Sequence, residues 1–210
     1  MTAQTTAAHL VTDVATLDAL YGTPVPQSLA KEIDYIHPYY RRFIEAAPFV
    51  SLATVGPGGL DNSPRGDGPG FVRVVDEHTL MLPDRRGNNR LDSLRNLVAD
   101  PRIALLFLIP GVAETMRVNG RAVISTDPAL LESFAVDGKA PRSVLVVTVE
   151  RIYYQCAKAL VRSRLWDPAA QIERSALPST GTMIGELSRG AIDGATYDRE
   201  LPARIQAQLY

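Results

Sequence analysis

Apolar and polar positions change rhythm along the chain. In "TDVATLDALYG" and "SLAKEIDYIHPYYRRFIEAAP" apolar residues recur every three or four positions, which predicts helices, with Thr12 and Ser28 as caps and Gly22 and Pro48 as stops. From Phe49 the pattern turns into short, strongly apolar runs: "FVSLATV", "GFVRVV", "TLMLP", "IALLFLI", "TMRVNGRAVI" and "SVLVVTVERIYY". "GPGG", "VDEH" and "IPGV" separate them as turns or polar connections, so the middle of the chain reads as a sheet. Helical spacing interrupts this sheet only at "NRLDSLRNLVAD" and "TDPALLESFAV", too seldom for the regular crossovers of a doubly wound parallel fold. A closed or half-open antiparallel barrel is expected. In "TMRVNGRAVI", Met116, Val118, Gly120, Ala122 and Ile124 share a core face, while Thr115, Arg117, Asn119 and Arg121 share a polar one. Beyond Trp166, "DPAAQIERSALPSTG" reads as a polar connection and the remainder as one or two weak helices broken by glycine and proline.

Composition narrows this picture. With 210 residues, 46% of them hydrophobic, the chain can bury a substantial core in one domain with terminal additions. We expect a helical extension over residues 1–47, a barrel over 48–166 and a second helical extension over 167–210. The 22 basic and 23 acidic residues give a net charge of -1, so no overall field draws the protein to nucleic acid or an anionic membrane, and any anion site must be local. A single cysteine, Cys156, excludes an intrachain disulfide framework and makes no cysteine-rich zinc site. It is expected to be a buried small residue. The amino-terminal stretch lacks the basic and apolar regions of a secretory signal, and no apolar run approaches a membrane span. A cytoplasmic protein is expected.

Two polar loops carry the candidate chemistry. "PDRRGNNRLDSLRNL" sets Arg85, Arg86, Gly87, Asn88, Asn89 and Arg90 ahead of a helix whose buried stripe is expected to be Leu91, Leu94, Leu97 and Val98. A helix amino end carries unpaired amides and partial positive charge, so a phosphate there would gain both the amides and charge-assisted bonds from the arginines. The competing reading is that Asn88 or Asn89 caps the helix and the arginines are solvated. "DNSPRGDGPGFVRVV" brings Ser63, Arg65 and Asp67 into a glycine- and proline-rich segment, either as ligand contacts or as a hairpin loop in which Arg65 and Asp67 pair with each other.

Over residues 44–166 these features together resemble the pyridoxamine 5'-phosphate oxidase-like flavoproteins. The resemblance rests on "FVSLATVGPGGLDNSPRGDGPGFV", on "LMLPDRRGNNRLDSLRNLVADPRIALLFLIPG" with Asn96, Leu97, Asp100, Pro101 and Arg102 in family order, and on "ETMRVNGRAVIS". It implies a mainly β fold with flanking helices, a six-stranded antiparallel split barrel of the FMN-binding type, working as a homodimer with FMN at the subunit interface. Carried over position by position, it implies that Ser63, Arg65, Gly66 and Asp67 form the first flavin-contacting segment. Pro83 and Asp84 fall beside the ring system, and Arg85, Arg86, Gly87, Asn88, Asn89 and Arg90 at the phosphate turn. Thr115 and Arg117 lie on the polar face of a later strand, and Thr115 stands where the true oxidases place glutamine. The Ser-Arg-Lys turn and the carboxy-terminal Arg-Leu-His motif of those oxidases are absent, which points to an FMN-binding subgroup rather than to vitamin B6 chemistry. In "YYQCAKALVRSRLW", Gln155, Lys158, Arg162 and Trp166 would close over the ligand from either subunit. Trp166 either stacks on the flavin or packs a terminal helix.

The resulting expectation is an FMN-dependent oxidoreductase in which the flavin carries hydride or electron transfer and the protein supplies position and electrostatics. A nicotinamide electron donor and a small-molecule substrate fit that expectation. A non-catalytic flavin- or haem-binding carrier of the same barrel is the alternative. No general acid or base stands out: His9, His37 and His78 read as solvated or capping groups. Asp and His do not recur at metal spacing, and no aromatic platform separates basic residues as in nucleic-acid binders.

Overall fold

The computed structural model describes residues 9–210. The chain divides into two compact units, Met1–Glu32 and Ile33–Tyr210. In the first, helix α1 spans Val14–Tyr21 and helix α2 spans Pro26–Ala30. The cap of α1 is Asp13 rather than the expected Thr12: its carboxylate accepts the Thr16 amide at 2.8 Å. A free amide three residues into the helix is met better by this carboxylate than by a hydroxyl. The helical stretch expected from Ser28 to Pro48 is interrupted. Pro38 disfavours helical backbone at His37, which sits at φ −60° and ψ 146°. Ile33 pairs with Ile152 instead, and helix α3 begins afresh over Pro38–Ala46. His37 caps it by accepting the Tyr39 amide at 3.2 Å.

The second unit is built on a seven-stranded antiparallel sheet with flanking helices, a split barrel. Its strands are β1 (Phe49–Gly56), β2 (Gly59–Gly66), β3 (Arg73–Val74), β4 (Thr79–Asp84), β5 (Arg102–Leu108), β6 (Thr115–Ser125) and β7 (Ser143–Gln155), in the order β2-β1-β5-β6-β7-β4-β3. Helix α4 (Asp92–Ala99) joins β4 to β5 and helix α5 (Pro128–Ser133) joins β6 to β7. The strand expected at "GFVRVV" shrinks to the two residues of β3, and the glycine- and proline-rich segment before it supplies the full strand β2. Pro64 is tolerated there because β2 is an edge strand, hydrogen-bonded only to β1.

Alternation along the strands puts one face of each into a common core. Leu52, Leu80, Leu82, Leu105, Phe107, Met116, Val118, Leu145 and Ile152 are all essentially inaccessible. On β6 the expected division holds for Met116, Val118, Gly120 and Ala122, whereas Thr115 is buried despite its polar phase. A bulge lies between Asn119 and Gly120, opposite Arg151 and Val149, so β7 carries one extra residue there. The distortion presses the backbones together: a Cβ on Gly120 would stand 2.0 Å from the Thr148 carbonyl oxygen. Gly120→Ala is therefore expected to cost at least about 3 kcal/mol, the upper range of overpacking, because backbone rather than a side chain must yield. A lowered urea midpoint with an unchanged slope checks it.

Helix α4 packs on β1 and β6. Its buried positions are Ser93 and Leu97, with Leu94 half-buried, while Leu91 and Val98 are exposed. The expected apolar stripe is thus corrected. The helix starts at Asp92, and Asn96 takes part of the inward face, donating from Nδ2 to Thr54 Oγ1 at 3.1 Å. Gly56 makes room for it, since a Cβ there would lie 2.1 Å from Asn96 Oδ1.

Beyond β7 come helix α6 (Lys158–Ser163) and the paired helices α7 (Thr180–Leu187) and α8 (Gly194–Gln208). Gly181 and Gly194 let α7 and α8 touch backbone to backbone. Among the described residues no helix is long and apolar enough to cross a membrane.

Candidate functional site: an arginine-lined cavity at the start of α4

The loop from β4 to α4 forms one wall of a cavity of about 420 Å³. Asn89 and Leu91 both adopt left-handed backbone, at φ 60° and 62°, which turns the chain so that α4 opens toward this space. Leu91 occupies the capping position and offers no side-chain acceptor. The reading in which Asn88 or Asn89 caps α4 is therefore overturned. Asn88 Oδ1 accepts the Arg90 amide at 3.0 Å, and Asn89 Oδ1 accepts from Arg142 Nη1 at 3.1 Å. The first amides of α4 keep their partial positive charge without a side-chain partner.

The opposite wall comes from β2 and the end of β4. Ser93 donates to Asp61 Oδ2 at 2.6 Å and shares a hydrogen bond with Ser63 at 2.9 Å. Arg65 Nη1 donates to Ser63 Oγ at 2.6 Å and to the Pro64 carbonyl at 3.0 Å, and its Nη2 lies 3.8 Å from Asp84 Oδ1. This chain ties β2, α4 and β4 together across the cavity. Arg65 and Asp67 do not pair with each other, so the simple hairpin reading of that segment also fails. Burial pushes the Asp84 carboxyl above its ordinary range, opposed by the guanidinium groups of Arg65 and Arg142. Pro83 and Phe71 give the cavity an apolar side.

The arginines of the loop differ in what they can do. Arg85 is committed to the fold: Nε donates to Asp67 Oδ2 at 2.8 Å and Nη1 to the Phe134 carbonyl at 2.7 Å. Arg90 pairs with Asp92 at 2.8 Å and is largely exposed. Arg86 also lines the cavity, and among the described residues it has no hydrogen-bond or ion-pair partner. Arg142, just before β7, completes the positive side. It escaped the sequence reading because nothing in "KAPRSV" shows that this turn returns to a loop more than fifty positions earlier.

Asp67 receives the Arg85 guanidinium, the Gly68 amide at 2.7 Å and the Tyr210 hydroxyl at 2.6 Å. Burial opposes its ionisation, but these three donors outweigh burial and hold the carboxyl below the usual carboxylate range. Its folded pKa lies below the unfolded one, so its contribution to stability is complete above about 3.9 and is lost as pH falls through the depressed value. Asp67→Asn is expected to flatten the acid limb of stability below about pH 4, as measured by denaturation at a series of pH values.

The structure brings Ser63, Arg65, Gly66, Pro83, Asp84, Arg85, Arg86, Gly87, Asn88, Asn89 and Arg90 to one cavity. It adds Asp61, Phe71, Ser93 and Arg142. Asp67, Thr115, Arg117, Gln155, Lys158 and Trp166 do not line it in the single chain. Arg117 borders a separate depression with Asn119 and Glu150. Trp166 donates its indole N–H to the Val112 carbonyl at 2.8 Å, as a packing residue would. Lys158 is exposed, and so is Cys156, against the expectation of burial: it directly follows the end of β7, outside the alternating core face of the strand. No group of three or more potential metal ligands occurs among the described residues.

An antiparallel split barrel with a cationic cavity between an edge strand and a helix amino end defines the class. The family model for pyridoxamine 5'-phosphate oxidase matches residues 36–156, more than half of the chain, and the chain belongs to that family. Among solved structures it is similar to HupZ of Group A Streptococcus, at 22% identity and a TM-score of 0.46 over 57% of this chain and 93% of that one. It is also similar to a protein of the pyridoxinephosphate oxidase family from Clostridium acetobutylicum, related to general stress protein 26 of B. subtilis, at 19% identity and a TM-score of 0.41 over 54% and 83%. A FAD-binding protein from Mesorhizobium loti shares 16% identity, with a TM-score of 0.39 over 54% and 87%. No curated protein matches the chain.

Proposed function

We propose that the protein is an FMN-dependent oxidoreductase. The observation that carries this reading is the pairing of an uncapped α4 amino end with the unpartnered Arg86 and the cavity-facing Arg142 at the head of a cavity that has an apolar side at Pro83 and Phe71. A phosphomonoester requires several donors and positive charge, and a flat ring requires an apolar wall; the residues present supply both. In this reading Arg86 and Arg142 hold the phosphate with the first α4 amides, and Arg90 contributes from the rim. Ser63 and Arg65 face the ribityl chain and the polar edge of the ring. Arg65, fixed by Ser63 and the Pro64 carbonyl, places positive charge where it favours an anionic reduced ring. Bound flavin supplies hydride or electron transfer, and the chain supplies position and field.

Thr115, Arg117, Gln155, Lys158 and Trp166 fall outside the cavity of one chain, and in this proposal they act on the cavity of a second copy in a homodimer. Family membership supports that assignment. The test is an absorption spectrum of the purified protein and mass identification of whatever denaturation releases. A flavin spectrum, or its appearance when FMN is added to stripped protein, is the expected result. A colourless protein that takes up no added flavin overturns the proposal.

A further inference from the structure

After α6 two side chains hydrogen-bond the chain back to the barrel among the described residues. Trp166 donates to the Val112 carbonyl at 2.8 Å, and Tyr210 donates its hydroxyl to Asp67 Oδ1 at 2.6 Å. Between them, from Asp167 to Leu209, hydrogen bonds and ion pairs stay within the segment or reach back to Arg164 at the end of α6. Helices α7 and α8 pack on each other at Gly181 and Gly194 instead. No residue of α8 is buried, and Leu187, Ile205 and Leu209 are exposed. An element with so little buried apolar surface opens at small free-energy cost, so the contact made by Tyr210 decides where its end sits.

That contact lies at the arginine loop. Asp67 is fixed to the barrel by its own amide, which donates to the Pro48 carbonyl at 3.1 Å. Its carboxylate is divided: Oδ2 takes Arg85 Nε at 2.8 Å, while Oδ1 takes the Tyr210 hydroxyl. The Tyr210 ring also faces the Arg85 guanidinium, 5.5 Å from Cζ to the ring centre, within reach of a cation–π attraction. Tyr210 thus meets both members of the ion pair that anchors the loop. The next residue is Arg86, which faces the cavity without a hydrogen-bond or ion-pair partner among the described residues. Tyr210 further lines, with Arg86 and Arg142, a space of about 290 Å³ adjoining the cavity. The tail of α8 and the arginine loop therefore share a bond, a ring contact and a wall.

We infer that Tyr210 is a positioning residue that latches α8 to the arginine loop: docked on Asp67 and Arg85, it fixes the loop from which Arg86 reaches an anion, and an anion on Arg86 and Arg142 in turn holds α8 down. The identity of that anion rests on the flavin reading of the cavity. Coupling of this kind is reciprocal, so a latch that helps the loop bind its ligand must itself be tightened by the ligand. The test uses the full chain freed of ligand, with FMN as the probe. FMN affinity is followed by flavin fluorescence, and amide hydrogen exchange of α8 is measured with and without saturating FMN, for the native chain and for Tyr210→Ala. Tyr210→Ala is expected to weaken FMN by about fivefold or more, the lower range of such couplings. FMN is expected to slow exchange of the α8 amides in the native chain by a similar factor and to leave it unchanged in the variant. Tyr210→Phe keeps the ring over Arg85 and removes only the hydroxyl, so it is expected to shift both readings the same way by less; it carries the test if Tyr210→Ala does not fold. If FMN binds the native chain but leaves α8 exchange unchanged, Tyr210 is only a structural tie: the inference is overturned and the flavin reading stands. FMN affinity that neither variant alters overturns it equally. If the native chain takes up no FMN, the flavin reading and this inference fail together.

Discussion

Replacing Arg86 and Arg142 together with alanine is expected to weaken FMN by about 100-fold or more without unfolding the protein. Each guanidinium that meets a phosphate oxygen contributes about 1.5–3 kcal/mol, and every 1.4 kcal/mol is about tenfold in affinity. The fold has little at stake in either side chain. Arg86 bonds to nothing among the described residues, and the one hydrogen bond of Arg142 goes to the exposed Asn89. Titration with FMN beside a thermal melt separates the two effects, and an unchanged affinity would remove the phosphate from this end of the cavity. Arg90→Ala is the informative contrast: Arg90 is exposed and already paired with Asp92, so its loss is expected to change affinity several-fold at most.

Arg85→Met is expected to do the reverse, destabilising the fold by about 3–5 kcal/mol, because removing one partner strands a charge in a poorly solvated site. The side chains of Arg85 and Asp67 are only 16% and 8% exposed, and the Phe134 carbonyl would lose its donor as well. The double variant Arg85→Met, Asp67→Asn is expected to recover part of the loss, since no unpaired charge remains. Urea denaturation of the three variants measures it, and a single variant as stable as the native chain would show the pair to be dispensable. The Asp100–Arg102 pair shows why geometry alone is no guide. Asp100 is held at about 2 by the Arg102 guanidinium and amide, yet Arg102 is 64% exposed. Water competes for both groups there, and Arg102→Ala is expected to leave the midpoint unchanged.

These two arginines stand side by side in "DRRGN", and the sequence treats them alike. Periodicity and turn chemistry determined the alternating strands of the barrel, helix α4 and its stop at Asp100 and Pro101, and the presence of an arginine-rich loop ahead of that helix, because each is set by neighbours a few positions away. The same local rules failed where distant chain competes. They gave helical spacing to the stretch after Ser28 where Ile33 pairs with Ile152 instead, missed that "GLDNSPRG" is an edge strand, and assigned Leu91 and Val98 to a face that Ser93 and Asn96 share with Leu97.

Which arginine is bound into the fold and which is left facing the cavity was decided by tertiary structure alone. Asp67, the Phe134 carbonyl and the Tyr210 ring converge on Arg85 from three separate segments, while among the described residues no side chain bonds to Arg86. Arg142 joins the cavity because β7 pairs with β4, which sets the turn before β7 beside the loop after β4. Sequence determined that an arginine-rich loop precedes a helix; the pairing of strands far apart in the chain determined what that loop faces, because a charge is freed or bound by whatever side chain packs nearest in space.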